Sequence, residues 1–82
     1  MEKPHIVYPC WWTYSIIGTD EEDLRLAAAA ITQGAPHRVA FSRLSTQKRY
    51  ASLHVEIEVA SEEERDRYFQ AFKSDPRVRF VL

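Results

Sequence analysis

The alternation of apolar and polar residues is most regular between residues 50 and 60. Such a period of two predicts a strand with one covered face and one face that is wet or meets a partner. The residues expected to face the core are Ala51, Leu53, Val55, Ile57 and Val59. The residues expected to face away from the core are Tyr50, Ser52, His54, Glu56 and Glu58.

A second strand is predicted over residues 11–17, which are aromatic, β-branched or small. Alternation assigns Trp12, Tyr14 and Ile16 to the core, and it leaves Trp11 and Ile17 on the opposite face. The two adjacent tryptophans therefore point to opposite faces of the sheet.

Each of two predicted helices begins with a capping box. After Gly18, Thr19 is expected to cap the first helix together with Glu22, and Ser61 and Glu64 do the same for the second helix. Apolar residues then recur with helical spacing and predict one buried stripe per helix. The stripe of the first helix is Leu24, Ala27, Ala28 and Ile31, and that of the second is Tyr68, Phe69 and Phe72.

Two weaker patterns predict the remaining strands. Residues 37–45 form one strand, and residues 77–82 form a last short strand. Residues 45–49 contain no Asn-Gly or Asp-Gly, so we expect a hairpin loop longer than two residues. The side chains expected to point inward are Val39 and Phe41 in the first of these strands, and Val78, Phe80 and Leu82 in the second, which leaves Val81 outward.

The order β-α-β-β-α-β predicts a ferredoxin-like α+β sandwich. With right-handed crossovers, both helices cover one face of an antiparallel sheet whose strand order is 4-1-3-2. A chain of 82 residues forms one domain, which we place at residues 11–82. Residues 1–10, with Pro4 and Pro9, are expected to form an extended arm.

Three segments of the chain resemble a known family. "YPCWWTYSIIG" combines aromatic-Pro-Cys, a further aromatic residue and a strand that ends in glycine. "STQKRYASLHVEIEV" and "DPRVRFVL" follow in the family's order, although Lys48 stands where a glycine is usual. The matching residues are Tyr8, Pro9, Cys10, Trp12, Tyr14, Gly18, Ser45, Tyr50 and Ser52. Together these segments resemble the YbeD-like family of small uncharacterised bacterial proteins.

This resemblance implies a fold similar to ACT regulatory domains but no transferable activity. ACT domains bind small effectors, often amino acids, near the loop after the first strand, where Gly18 lies. A candidate ligand site therefore comprises Gly18, Thr19, Lys48 and Arg49. Acidic residues in the first turn of the helix would repel a phosphate there, whereas a zwitterion could use both charges.

Composition excludes several classes of function. The net charge is −1, from eleven basic and twelve acidic residues, which argues against nucleic-acid binding. A single cysteine cannot form an internal disulfide and fits a reducing cytoplasm. No apolar run approaches the roughly 20 residues of a membrane span. We therefore expect a cytoplasmic protein that binds neither nucleic acid nor membrane.

The residue types that carry catalysis are sparse. His5, Cys10 and His37 fall at one end of the predicted sandwich, but their spacing matches no zinc signature. Cys10 has no histidine in an adjacent motif, as a nucleophile would require. We expect no metal, no cofactor and no catalytic activity.

The uncovered face of the predicted sheet is the best candidate for function. Aromatic and arginine residues among polar groups resemble a protein interface. The residues assigned to this interaction face are Trp11, Ile17, His54, Arg77, Arg79 and Val81. We predict a non-catalytic regulatory or interaction module that binds a protein partner, a second copy of itself or a small effector. Alternatively, residues 5–8 of the arm fold across the sheet and cover Trp11.

Overall fold

A computed structural model describes the backbone of residues 6–44 and 50–82 and the side chains of residues 6–40 and 50–82. The elements are β1 (Cys10–Gly18), α1 (Glu21–Thr32), β2 (His37–Leu44), β3 (Ala51–Val59), α2 (Glu62–Ser74) and β4 (Phe80–Val81). The strands form an antiparallel four-stranded sheet in the order β2-β3-β1-β4. The predicted ferredoxin-like fold is confirmed.

The core lies between the sheet and the two helices. Alternate residues of β3, and Tyr14 and Ile16 of β1, are buried as predicted, because their side chains point to the face that the helices cover; Trp12 packs against this core but is only half-buried. Ala27 and Ala28 of α1 are fully buried and allow that helix to approach the sheet closely. The largest buried side chains are Tyr14, Phe72, Ile16, Leu24, Leu53, Ile57, Val55 and Val59.

The start of α1 differs from the prediction. Asp20, and not Thr19, is the N-cap: its Oδ1 atom accepts a hydrogen bond from the backbone N–H of Glu22 at 2.8 Å. The first helical bond runs from the N–H of Leu24 to the carbonyl oxygen of Asp20, so the helix begins one residue later than expected. Thr19 is left exposed outside the helix.

The start of α2 has the predicted N-cap, Ser61, but the return bond of the capping box reaches the residue before the cap. The hydroxyl of Ser61 accepts a hydrogen bond from the N–H of Glu64 at 3.1 Å. The carboxylate of Glu64 in turn accepts one from the N–H of Ala60 at 3.2 Å. These bonds satisfy two backbone donors that precede or begin the helix.

The prediction for the last strand is wrong in its phase. Val81 pairs with Ile16 and packs against the core, whereas Phe80 pairs with Ile17 and is 57% exposed. The cause is a bend at Arg79, which separates the buried Val78 from Val81 by three residues and interrupts the period of two. Leu82, also expected inward, is 77% exposed.

Some predictions lie outside the described residues. These are the loop at residues 45–49, the first half of the arm, and the side chain of Phe41. Within the described part of the chain, neither helix has the length and apolarity that crossing a membrane requires.

Candidate functional site

The face of the sheet opposite the helices, here called the outer face, carries the second set of alternating side chains. On β1 and β3 these side chains are partly or fully exposed, while their neighbours in sequence are largely buried. Among the described residues, both helices contribute to the core on the other side, so neither covers this face. The outer face comprises Trp11, Thr13, Ser15 and Ile17 of β1, Ser52, His54, Glu56 and Glu58 of β3, Arg38 and Ala40 of β2, and Phe80 of β4.

One end of the outer face is built around Trp11. The guanidinium carbon of Arg38 lies 4.5 Å from the centre of the Trp11 ring. Arg38 is on β2, opposite Glu56 of β3, so its side chain crosses β3 to reach β1. This arrangement is a cation–π contact. The ring nevertheless keeps 39% of its surface exposed.

In the described part of the N-terminal arm, residues 6–9, half-buried and exposed side chains alternate. Tyr8 packs against the core cluster, on the side of the sheet away from Trp11. Val7 is mostly exposed. The predicted coverage of Trp11 by the arm also involves His5, which lies outside the described residues.

The other end of the outer face carries a second aromatic pair, which the sequence did not reveal. The rings of Tyr50 and Phe80 meet edge to face, with 6.4 Å between their centroids. Ile17 lies opposite Phe80 across the strand pair and is half-buried. Period-two reasoning assigned Phe80 to the core, so only the bend at Arg79 brings it to this surface.

Polar residues separate the two aromatic ends. His54 is exposed at the middle of β3, opposite Ser15 on one side and Ala40 on the other. Glu56 and Glu58 continue the same column toward Trp11. Trp11, Ile17 and His54 therefore share one surface, as predicted.

The predicted arginines belong to the turn before β4. Arg77 donates two side-chain hydrogen bonds to Asp75, at 3.0 and 2.8 Å, and its backbone N–H donates a third at 2.8 Å. The hydrogen bonds from Arg77 lower the pKa of the Asp75 carboxyl below its ordinary value. Arg79 is exposed at the bend, and its N–H donates to the carbonyl of Ile17 at 2.7 Å. The side chain of Arg77 is therefore held by hydrogen bonds within the turn. Val81 points to the core and not to the predicted interaction face.

The loop after β1 is tightly packed at the glycine. Gly18 is buried, and a Cβ atom there would lie 2.6 Å from the carbonyl oxygen of Arg77 and 2.8 Å from Leu24 Cδ2. The glycine is therefore explained by packing, without a ligand. Lys48 and Arg49, the other members of the predicted ligand site, lie outside the described residues.

Beside this loop, the start of α1 borders an open depression of about 520 Å³. Its polar lining is mainly acidic, from Asp20, Glu21 and Glu22. Arg25 is held by an ion pair with Glu21, with 2.7 Å between Nε and Oε2. The depression suits a cationic group better than an anion.

A smaller hollow, of about 350 Å³, opens between β1 and α2 where β4 ends. The guanidinium carbon of Arg65 lies 4.4 Å from the centre of the Trp12 ring on one wall. The Tyr14 hydroxyl donates a hydrogen bond to the Arg65 carbonyl at 2.6 Å, and burial raises the pKa of this phenol. The lining residues are Trp12, Tyr14, Arg65, Asp66, Phe69 and Leu82.

Residues suited to metal or nucleophilic chemistry are dispersed. Within residues 6–44 and 50–82, no three His, Cys, Asp or Glu side chains come together as a metal site would require. Cys10 is a half-buried thiol packed against the core, and His37 contacts the carbonyl oxygen of Ala35 at 2.7 Å.

The fold and its outer face define a small ferredoxin-like α+β domain. Residues 3–82 match the family described as "Protein of unknown function (DUF493)", and the chain belongs to this family, which is the YbeD-like family. Two uncharacterized proteins of Helicobacter pylori are similar in sequence. The protein from strain 26695 is 35% identical over 94% of this chain and 90% of its own length. The protein from strain J99 is 34% identical over 85% of this chain and 81% of its own length.

Solved structures agree with this assignment. A solution structure of protein HP0495 from H. pylori has a TM-score of 0.84 and 31% identity, and the match covers 99% of this chain and 89% of that one. A second solution structure of HP0495 has a TM-score of 0.69 and 32% identity, over 100% of this chain and 95% of that one.

Proposed function

We propose that this domain is a non-catalytic regulatory or interaction module that binds a protein partner, or a second copy of itself, through the outer face of its sheet. The observation that carries the proposal is the pair of exposed aromatic groups on that face. Trp11 with Arg38 forms one group, and Tyr50 with Phe80 forms the other. Aromatic and arginine side chains are enriched in protein interfaces, where they supply most of the binding energy.

The distribution of exposed apolar side chains supports the same surface. Most of the large ones among the described residues lie on the outer face or at its β4 edge: Trp11, Tyr50, Phe80 and Leu82. Exposed aromatic side chains at both ends of one face, with polar groups between them, resemble the anchors of a protein interface. The polar column between the two aromatic groups would orient the partner.

The test compares variants of the outer face with a matched variant elsewhere. Trp11→Ser and Phe80→Ser each remove one aromatic group, and Leu26→Ser removes an apolar side chain of similar exposure, 53%, from α1. Sedimentation measures self-association, and affinity purification from the source cell measures binding of other proteins. We expect wild type and Leu26→Ser to keep the association and both outer-face variants to lose it. Equal association by all four folded proteins would refute the proposal.

The alternative function is an ACT-like domain that binds a small effector, such as an amino acid, near the loop after β1. The observation that favours it is the acidic depression beside α1, which would attract the ammonium group of a zwitterion. A thermal-shift screen of amino acids, with Glu22→Gln as the control, tests this version. Effector binding requires that at least one amino acid raises the unfolding temperature and that Glu22→Gln reduces this increase.

A further inference from the structure

Strand β1 is paired along only part of one edge. Its other edge is paired with β3 from Cys10 to Gly18. On the open side, β4 pairs with β1 at Ile16 and Ile17. Two further bonds join Ser15 and Leu82, at 3.1 and 2.9 Å. In the described residues, nothing pairs with the first half of β1 on this side.

The backbone groups of Trp11 and Thr13 point toward this unpaired edge. Ser15 exchanges both of its backbone hydrogen bonds with Leu82, so its N–H and C=O face away from β3. Backbone groups alternate in direction along an antiparallel strand, so Thr13 and Trp11 face the same way as Ser15. The edge therefore presents a ready row of donors and acceptors to an extended chain.

The hollow between β1 and α2 lies directly beside this edge. Trp12 and Tyr14 line it from β1, Phe69 lines it from α2, and Leu82 lines it next to β4. A strand that continued the line of β4 would place its inward side chains over this hollow, opposite Tyr14 and Trp12. Its outward side chains would lie beside Trp11.

Strand β4 itself indicates which occupant fits. It is extended and antiparallel to β1, with Val81 packed inward opposite Ile16 and Phe80 outward opposite Ile17. The same edge thus already accepts a segment that is apolar on both faces. The adjoining half offers the same backbone row, a tryptophan on the outer side, and on the inner side a hollow lined mainly by aromatic rings, with Arg65 and Asp66 on the α2 wall.

We propose that the edge of β1 at Trp11 and Thr13 binds an extended segment of another protein, which adds a strand in line with β4 and antiparallel to β1. Backbone hydrogen bonds hold the segment, and an apolar side chain opposite Trp12 enters the hollow. This site shares Trp11 with the outer face but binds through the backbone edge of β1, so it stands without the proposed outer-face function. It gives the adjacent tryptophans one role, since they flank the added strand on its two faces.

The probe is a panel of peptides of about seven residues, a usual strand length, acetylated and amidated at their ends. Threonine alternates with Leu, Phe or Ser, and these variable side chains face the hollow. Binding is followed by nuclear magnetic resonance, through hydrogen exchange of the amides of Trp11 and Thr13. We expect the Leu and Phe peptides to bind with dissociation constants of about 1 mM or tighter. At saturation they slow exchange of both amides at least about tenfold.

Two matched peptides isolate the two parts of the site. The Ser peptide lacks the apolar anchor, and a Leu peptide N-methylated at the amides that face β1 lacks the hydrogen bonds. Both are expected to bind at least about tenfold more weakly. The amide of Val39 is the internal control, because the bond between Glu58 and Pro36 leaves it facing the β2 edge of the same sheet.

A pair of protein variants tests the backbone hydrogen bonding between Thr13 and the peptide. Thr13→Pro removes an N–H that the ladder with β3 does not use, while Thr13→Val keeps it. We expect the first to abolish binding of the Leu peptide and the second to preserve it. If Thr13→Pro does not fold, the N-methylated peptide tests the same bond with the protein unchanged.

Three results would overturn the proposal. The first is that no Leu or Phe peptide slows exchange of Trp11 and Thr13. The second is that the N-methylated peptide binds as well as its parent. The third is strong protection of both amides without peptide, since the edge is then filled by the chain itself or, if protection rises with protein concentration, by a second copy. Loss of partner binding in Phe80→Ser with normal peptide binding would separate this edge from the outer face.

Discussion

Arg38 stacks on Trp11, with 4.5 Å between its guanidinium carbon and the ring centre, although β3 separates their strands. The contact covers one side of an aromatic ring that the core does not hold. It also places a cation beside Glu56 and Glu58 on an exposed sheet face. A ring held by a surface contact contributes less to stability than a ring packed in the core, and this difference can be measured.

Trp11→Ala and Trp12→Ala are expected to differ in their effect on folding. Trp11→Ala removes a cation–π contact at an exposed site and costs about 1 kcal/mol. Trp12 packs against the core cluster, so Trp12→Ala costs about 3 kcal/mol in the free energy of unfolding. Urea denaturation of both variants measures the difference. Equal losses would mean that Trp11 is as deeply packed as Trp12.

Gly18→Ala is expected to destabilise the domain by about 2 kcal/mol, because the new methyl group would overlap the Arg77 carbonyl and Leu24. Gly34→Ala is the matched change. No atom lies within 4 Å of its Cβ position, but φ is +84°, so it costs about 1 kcal/mol through backbone strain. Denaturation midpoints of the two variants separate packing from strain. A smaller loss for Gly18→Ala than for Gly34→Ala would contradict this account.

The cap of α1 can be assigned by a pair of neighbouring substitutions. Asp20→Ala removes the acceptor for the N–H of Glu22 and is expected to cost about 1 kcal/mol. Thr19→Ala changes an exposed side chain outside the helix, so its effect is expected to stay within about 0.5 kcal/mol. Thermal unfolding checks both values. A larger loss for Thr19→Ala would restore the capping box inferred from the sequence.

Stability in alkaline solution is expected to depend on Tyr14. Burial raises the pKa of this phenol in the folded state above its ordinary value of 10.0. The unfolded chain therefore releases the proton first, so this contribution to stability is complete below pH 10 and is lost as the pH rises above it.

Tyr14→Phe tests this dependence. At neutral pH the variant loses the hydrogen bond to the Arg65 carbonyl, which costs about 1 kcal/mol. Its stability then falls less steeply than that of wild type as the solution becomes alkaline. Urea denaturation at a series of pH values measures both effects. Parallel alkaline curves for wild type and Tyr14→Phe would rule out the proposed linkage.

Alternation was sufficient to assign the faces of β1 and β3. Both strands are nine residues long and lie in the middle of the sheet, so one face of each is turned to the helices and is buried along all of β3 and along β1 from Tyr14 onward. Continuous burial on one side imposes a period of two on the sequence. For the same reason the two tryptophans could be assigned to opposite faces from their adjacency alone.

Alternation assigned the faces of the last strand wrongly because the pairing of that strand is short. Only Phe80 and Val81 form the strand, and the preceding bend at Arg79 shifts the phase by one residue. The bend is set by bonds to other parts of the chain, including the one from Arg79 to the carbonyl of Ile17. No pattern within the strand predicts the bend, so alternation assigned both Phe80 and Val81 to the wrong face.

What the sequence determined by itself is the order of elements, the two-layer fold and the family, because these depend on local periodicity, turn residues and helix starts. The tertiary structure alone decided which surfaces are functional candidates. The contact of Arg38 with Trp11 requires β2 and β1 to flank β3 in a particular register. The edge pairing of β1 depends on where β4 lies along it, which is opposite Ile16 and Ile17. Both follow from distances between strands that are remote in the sequence, and alternation within a strand carries no information about them.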